Sequence, residues 1–274
     1  MDSLQQYISG FKDQLIGVAV YDLQTGRETL VHARETMHPA STIKVHVMME
    51  VFHQAAQGRF SIDDEIQITN SFTSIVDGSP FMLHVEDDSE TTLYPRLGQS
   101  ERIRELMRLM IVRSSNLATN ILLEKVGPQN VTAFIQELGI QDVVVRRGVE
   151  DNVAFRLGLN NSASALGLAQ TMRLIAQEKV VSPQASQEMI QILLGQQFNE
   201  GIPARLPESV RVAHKTGWND NLYHDFGIIF PEDRKPYVLG IMTRGFSQET
   251  EAHECVAEIS SLVYQQLAEN SQSQ

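Results

Sequence analysis

The chain has 274 residues, 42% apolar and 20% charged, enough length for one large domain or two interleaved ones with a buried core. Its 34 acidic residues outnumber 22 basic ones, and the net charge of −12 argues against nucleic acid or an anionic membrane as partner. Cys255 is the single cysteine, so no intrachain disulfide can form, and no apolar run approaches the roughly 18 residues of a membrane span.

Met1 to Lys12 carries no basic start followed by an apolar run, so no signal peptide is expected. The chain as written then reads as cytoplasmic, or as exported if a leader has been removed. Leu15 to Tyr21 is rich in branched residues and predicts a strand, with Asp22 to Gly26 as a turn and Glu28 to Val31 as the returning strand. Pro39 to Ser41 predicts the opening of a helix running to about Gly58. Ile103, Leu106, Met107 and Met110 form an i, i+3, i+4, i+7 stripe. Val131, Phe134, Ile135 and Leu138 repeat it after the Gly127-Pro128 break. Leu166 to Ile175 and Met189 to Leu194 predict further helices. Leu222 to Phe230 and Tyr237 to Thr243 repeat the strand pattern, and Gln248 to Leu267 closes the chain as a helix. Adjacent residues on that last helix point different ways, so His253, Glu254 and Cys255 are not expected to share a metal.

Strands at both ends and helices between them predict an α+β fold, in which the termini meet in one antiparallel sheet flanked by helices. The expected unit has an α/β lobe of about residues 1–38 and 200–274 and an inserted all-helical lobe of about 39–199.

Three separated strings carry the chemistry: Ser41-Thr42-Ile43-Lys44, Ser114-Ser115-Asn116 and Lys215-Thr216-Gly217. Each is common alone, and a helix-capping serine followed by a surface lysine would look like the first. In this order they describe a serine acyl-transfer site. Ser41 falls in the first turn of its helix, where free backbone N–H groups favour developing negative charge. Lys44 lies one turn on, over the same face, and a desolvated lysine can take a serine's proton. Ser114 offers a hydroxyl to relay a proton and Asn116 an amide to hold a substrate. Lys215 and Thr216 on a strand suit a substrate carboxylate, with Gly217 leaving room for the substrate backbone. His214 should alternate away from Lys215 and out of the site.

This set resembles the class A β-lactamases and penicillin-binding proteins, over about residues 10 to 268. The resemblance implies the β-lactamase/transpeptidase-like fold with its site in a cleft between lobes, and an oxyanion hole from the backbone N–H groups of Ser41 and Trp218. It also implies a glutamate, after the second string, that positions the deacylating water. Glu150 in Arg146-Arg147-Gly148-Val149-Glu150-Asp151 is the candidate. The family's arginine–aromatic–glutamate–proline string is not met, since Val149 and Asp151 flank Glu150, and Ala154 stands where an asparagine is usual. Ser115 occupies the place of an aspartate that in the family supports the loop. Ser71 to Gln99 is longer than class A enzymes carry and is expected to overhang the cleft and tune substrate choice.

The resulting expectation is a monomeric serine hydrolase, needing no metal or organic cofactor, that cleaves a β-lactam amide through an acyl-enzyme. Two alternatives stay open. One is a D,D-peptidase, esterase or glutaminase-like amidase on the same fold. The other is a sensor that acylates at Ser41 and does not turn over.

Overall fold

A computed structural model describes residues 2–272. Helix α1 (Asp2–Ser9) leads into strands β1 (Leu15–Asp22) and β2 (Glu28–Val31). A long helical excursion follows: α2 (Lys44–Ala56), α3 (Ile103–Val112), α4 (Asn116–Val126), α5 (Pro128–Glu137), α6 (Asn152–Arg156), α7 (Ala165–Ala176) and α8 (Pro183–Leu193). The chain then returns through β3 (Arg211–Asn219), β4 (Leu222–Phe230) and β5 (Tyr237–Arg244) to α9 (Glu249–Gln272). These strands form a five-stranded sheet in the order β2-β1-β5-β4-β3, all neighbours antiparallel, so both ends of the chain share one sheet.

Period-two alternation divides the core between the two faces of that sheet. Ile16, Val18 and Val20 of β1 pack with Leu239 and Ile241 of β5 and with Val256, Ile259 and Val263 of α9. Ala19, Phe226, Ile228, Val238 and Met242 face the opposite way, into the large core shared with the helices. Gly240 marks the point where α7 crosses the sheet, since a Cβ there would lie 2.7 Å from the Ala165 carbonyl oxygen. The α3 stripe Ile103, Leu106, Met107 and Met110 is fully buried. Burial of each such side chain is worth about 1.5–3 kcal/mol.

Short polar devices begin several helices. Ser164 accepts the Gly167 N–H at α7, Ser182 accepts the Ala185 N–H at α8, and Asp151 accepts the Ala154 N–H at α6. Gly127, at φ +84°, ends α4 so that Pro128 can open α5.

The sequence expectation fails in detail at three places. Helix α1 is unanticipated; its spaced residues Leu4 and Ile8 pack into the α9 side of the sheet. Ser41 lies in a 3₁₀ turn, Ala40–Ile43, and the α-helix starts only at Lys44. Ser71 to Gln99 is not a plain overhang. Phe72–Thr73 pairs with Pro80–Phe81 as a small hairpin, and 3₁₀ turns follow at Val85–Asp87 and Tyr94–Arg96.

Candidate active site

Ser41 reaches the surface at the bottom of a cleft of about 370 Å³, lined also by His38, Asn116, Glu150, Phe155, Asn161, Trp218 and Asn219. That volume suits a small organic ligand. Ala40, immediately before Ser41, holds φ +48°, and the Thr42 N–H closes the turn on the Pro39 carbonyl at 3.1 Å. Strand β3 passes directly over this turn. A Cβ on Gly217 would lie 2.8 Å from the Ser41 nitrogen and 2.9 Å from the Thr42 nitrogen, so only glycine lets the strand approach so closely.

Lys44 is fully buried, and its ammonium turns toward the loop between α3 and α4. It donates to the Ser114 carbonyl at 2.6 Å, to Asn116 Oδ1 at 2.8 Å and to Ser114 Oγ at 3.2 Å. Lys215, also buried, donates to Ser114 Oγ at 3.0 Å and to the Thr216 carbonyl at 2.8 Å. A serine oxygen that accepts from two amines keeps its own hydrogen free to donate. Burial pulls the Lys44 amine down to about 7, against the opposing fields of Asp88 and Glu150. Burial and then the neighbouring Lys44 charge push Lys215 well below the ordinary lysine range.

Ser114 adopts φ +55°, the left-handed region. Helix α4 starts straight after it, with Ser115 accepting the Ala118 N–H at 3.1 Å. Asp88, far back in the chain, accepts the backbone N–H of Asn116 on both oxygens at 3.0 Å and that of Leu117 at 2.9 Å.

Glu150 is half-buried on the opposite wall, also left-handed at φ +62°. Burial raises its carboxyl, the Asp87 and Asp88 charges raise it further, and His84 and Lys44 oppose the rise. Asn120 grips the residue before it, accepting the Val149 N–H at 2.7 Å and donating to the Val149 carbonyl at 2.9 Å. Asn161 holds the base of the loop through the N–H groups of Arg146 at 2.7 Å and Arg147 at 3.1 Å.

Of the sequence candidates, Ser41, Asn116, Glu150 and Trp218 line this cleft. Lys44, Ser114 and Lys215 form a buried hydrogen-bonded cluster that meets it at Asn116, and Gly217 lies against the Ser41 turn. Trp218 is wedged edge-on against Phe198. Thr216 differs: it is buried opposite Asp225 in the ladder, and its hydroxyl has no hydrogen-bond partner among the described residues. His214 turns away, as alternation requires, and pairs with Asp225 at 2.9 Å behind the strand. Sequence reasoning missed Asp88, Asn120, Asp151 and Asn161. Asp88 sits in the acidic run Glu86 to Glu90, which gives no hint that one member is buried at a helix start.

Comparison with known proteins gives a consistent result. The Beta-lactamase enzyme family matches residues 1–267. The extended-spectrum beta-lactamase PER-1 of Pseudomonas aeruginosa is 24% identical over 93% of this chain and 83% of its own length. The carbapenem-hydrolyzing beta-lactamase KPC of Klebsiella oxytoca is 24% identical over 88% of this chain and 80% of its own. Among solved structures, a PBP-A mutant in an acyl-enzyme complex with penicillin G superposes with a TM-score of 0.85 at 23% identity, covering 98% of this chain and 96% of that one.

Proposed function

This chain belongs to the Beta-lactamase enzyme family, and we propose that it opens the β-lactam amide by way of an acyl-enzyme on Ser41. The observation that carries the reading is the convergence of Lys44 and Lys215 on Ser114 Oγ, joined through Asn116 to the cleft that Ser41 and Glu150 line.

Ser41 attacks the lactam carbonyl. Lys44, whose amine is drawn down to about 7, takes the serine proton, and the oxyanion forms against the backbone N–H groups of Ser41 and Trp218. Each such donor is worth about 2.7–4 kcal/mol in the transition state. Ser114 passes its proton to the departing ring nitrogen as the C–N bond breaks, and Lys44 returns the proton it took from Ser41 to Ser114 Oγ, 3.2 Å away. Asn116 holds the acyl side-chain amide. The Lys215 ammonium attracts the substrate carboxylate, while Thr216, expected to share that task, is buried on the same side of β3 as Asp225 and His214. Glu150, as the carboxylate, then takes a proton from the water that attacks the ester; the C–O bond to Ser41 breaks and that proton passes to the Ser41 oxygen, which restores both groups. General-base help of this kind is worth about 10²–10⁴-fold.

The second reading is a D,D-peptidase, esterase or small-amide hydrolase on the same machinery. It is favoured by the unusual flanks Val149 and Asp151 of the proposed base.

Nitrocefin turnover by wild type and Glu150→Ala, followed by intact mass spectrometry, tests the assignment. Wild type is expected to turn over repeatedly, while the variant accumulates a Ser41 adduct. A wild-type protein that neither turns over nor acylates would refute the β-lactam reading and direct the search to peptide and ester substrates.

A further inference from the structure

Three non-glycine residues at the site hold left-handed backbones, Ala40 next to Ser41, Ser114 and Glu150. Such conformations persist only where the surroundings over-determine them. At Ser114 and Glu150 the surroundings include residues 71–99, the stretch whose sequence reads as longer than class A enzymes carry.

At Ser114, Asp88 takes the N–H groups of Asn116 and Leu117, the two residues that begin α4. Asp88 is itself held by the Tyr94 hydroxyl at 3.1 Å and the Glu90 N–H at 3.0 Å. The neighbouring residues wrap the same turn: the Ser89 hydroxyl donates to the Arg113 carbonyl at 3.0 Å, and the Asn116 amide donates to the Asp87 carbonyl at 3.3 Å. A buried carboxylate at the start of α4 also complements the helix dipole. At Glu150, the next residue, Asp151, is buried and reaches out to the hairpin. It accepts from the Ser74 hydroxyl at 2.8 Å and from the Ile75 N–H at 3.0 Å.

We infer that residues 71–99 are a two-point clamp on the active site. Asp88 positions the Ser114–Asn116 turn for acylation, and the Ser74–Ile75 corner, through Asp151, positions Glu150 for deacylation. Neither Asp88 nor Ser74 touches substrate; both are positioning residues. The inference rests on the hydrolytic reading of Ser41 and Glu150. It assigns the insertion a supporting task in place of a role in substrate choice.

The two points are separable by experiment. Asp88→Asn keeps the shape but loses the negative acceptor, and Ser74→Ala removes one of the two bonds to Asp151. Acylation is read by stopped-flow with nitrocefin under single-turnover conditions, and deacylation by decay of the adduct mass. Asp88→Asn is expected to slow acylation by about 10–100-fold with deacylation within about threefold, as expected when reacting groups shift by a fraction of an ångström to an ångström. Its acylation should also shift to lower pH, because the Asp88 charge that holds the Lys44 amine up is gone. Ser74→Ala is expected to do the reverse, so that adduct accumulates at an undiminished acylation rate. Variants that slow both steps alike, or neither, would overturn the clamp. If Asp88→Asn does not fold, Tyr94→Phe weakens the same anchor and should slow acylation alone.

Hydrogen exchange gives an arm that does not depend on the substrate. Asp88→Asn should deprotect residues 113–118 and spare 149–155, and Ser74→Ala should do the opposite. That pattern in a protein inert toward nitrocefin would sustain the clamp and refute only the β-lactam reading. Uniform or absent deprotection would overturn the clamp even in an active enzyme.

Discussion

Lys44 is where burial becomes chemistry. An exposed lysine is almost wholly protonated at neutral pH and is a poor base, whereas the buried Lys44 amine, drawn down to about 7, is substantially neutral there. The sign of its pH dependence follows. Below 7 the amine is a cation and cannot accept the Ser41 proton; above 7 it can. The acylation rate kcat/KM of a good substrate is therefore expected to rise through pH 7 and level off above it. Lys44→Arg keeps a cation but not a base, and should lower acylation by about 10²–10⁴-fold. A profile flat between pH 5.5 and 8 in wild type would rule Lys44 out as the base. In the proposed mechanism Glu150 works in the other step, and its raised carboxyl must ionise first, so deacylation should also fail on the acid side. Separating the two steps at pH 5.5 shows which group limits turnover there.

Elements position these groups, and the close contact that bears on the proposed nucleophile is that of β3 on the Ser41 turn. Gly217→Ala would set a methyl group 2.8 Å from the Ser41 nitrogen, against backbone rather than a yielding side-chain tip. The strand must then move off the turn and take the proposed oxyanion donor at Trp218 with it. A loss of about 10²-fold in kcat/KM or more is expected, with overpacking costing about 1–3 kcal/mol by denaturant unfolding. Wild-type kinetics in a folded Gly217→Ala would refute the close approach. The same scale explains what could be read from the chain alone. Ile103, Leu106, Met107 and Met110 announce α3 because a single helix face meets the core, and the branched runs of β1, β4 and β5 announce strands buried on both sides. The proposed site residues Ser41, Lys44, Ser114 and Lys215 could be picked out because they stand in short, ordered strings. The 3₁₀ turn at Ser41 was not, because it is imposed by β3 lying across it. Asp88 and Asp151 were hidden for a similar reason. Each acts on backbone N–H groups distant in sequence, a role that no side-chain pattern encodes.

Across the whole molecule, a site built from buried bases leaves a mark on stability. For a basic group whose amine or ring is pulled down on folding, the unfolded chain binds more protons in the interval between the two values. Stability then rises with pH through that interval. His46 and His224, both drawn down to about 4 by burial, add stability as pH climbs from about 4 toward 6.5. Lys44 continues the rise from about 7 toward 10.5, and Lys215 acts in the same direction. The trend reverses on the alkaline side. Burial raises Cys255 and Tyr7 to about 12, and raises Tyr223 and Tyr237 as well, so the unfolded chain loses those protons first and stability falls above about 9–10. Glu150 works weakly against the acid-side rise, because its carboxyl is raised on folding. The melting temperature is therefore expected to climb from pH 5 to a maximum between about 8 and 9.5. Lys44→Met, which fills the same space without a charge to desolvate, should melt higher than wild type at pH 6, and its advantage should shrink as pH approaches 10. Thermal melts at pH 6, 8 and 9.5 decide the matter. A wild type that loses stability steadily between pH 6 and 8, or a Lys44→Met variant with no advantage at pH 6, would mean that the amine reaches enough solvent or counter-charge to stay protonated at little cost. The proposed catalytic base would then lose its physical foundation.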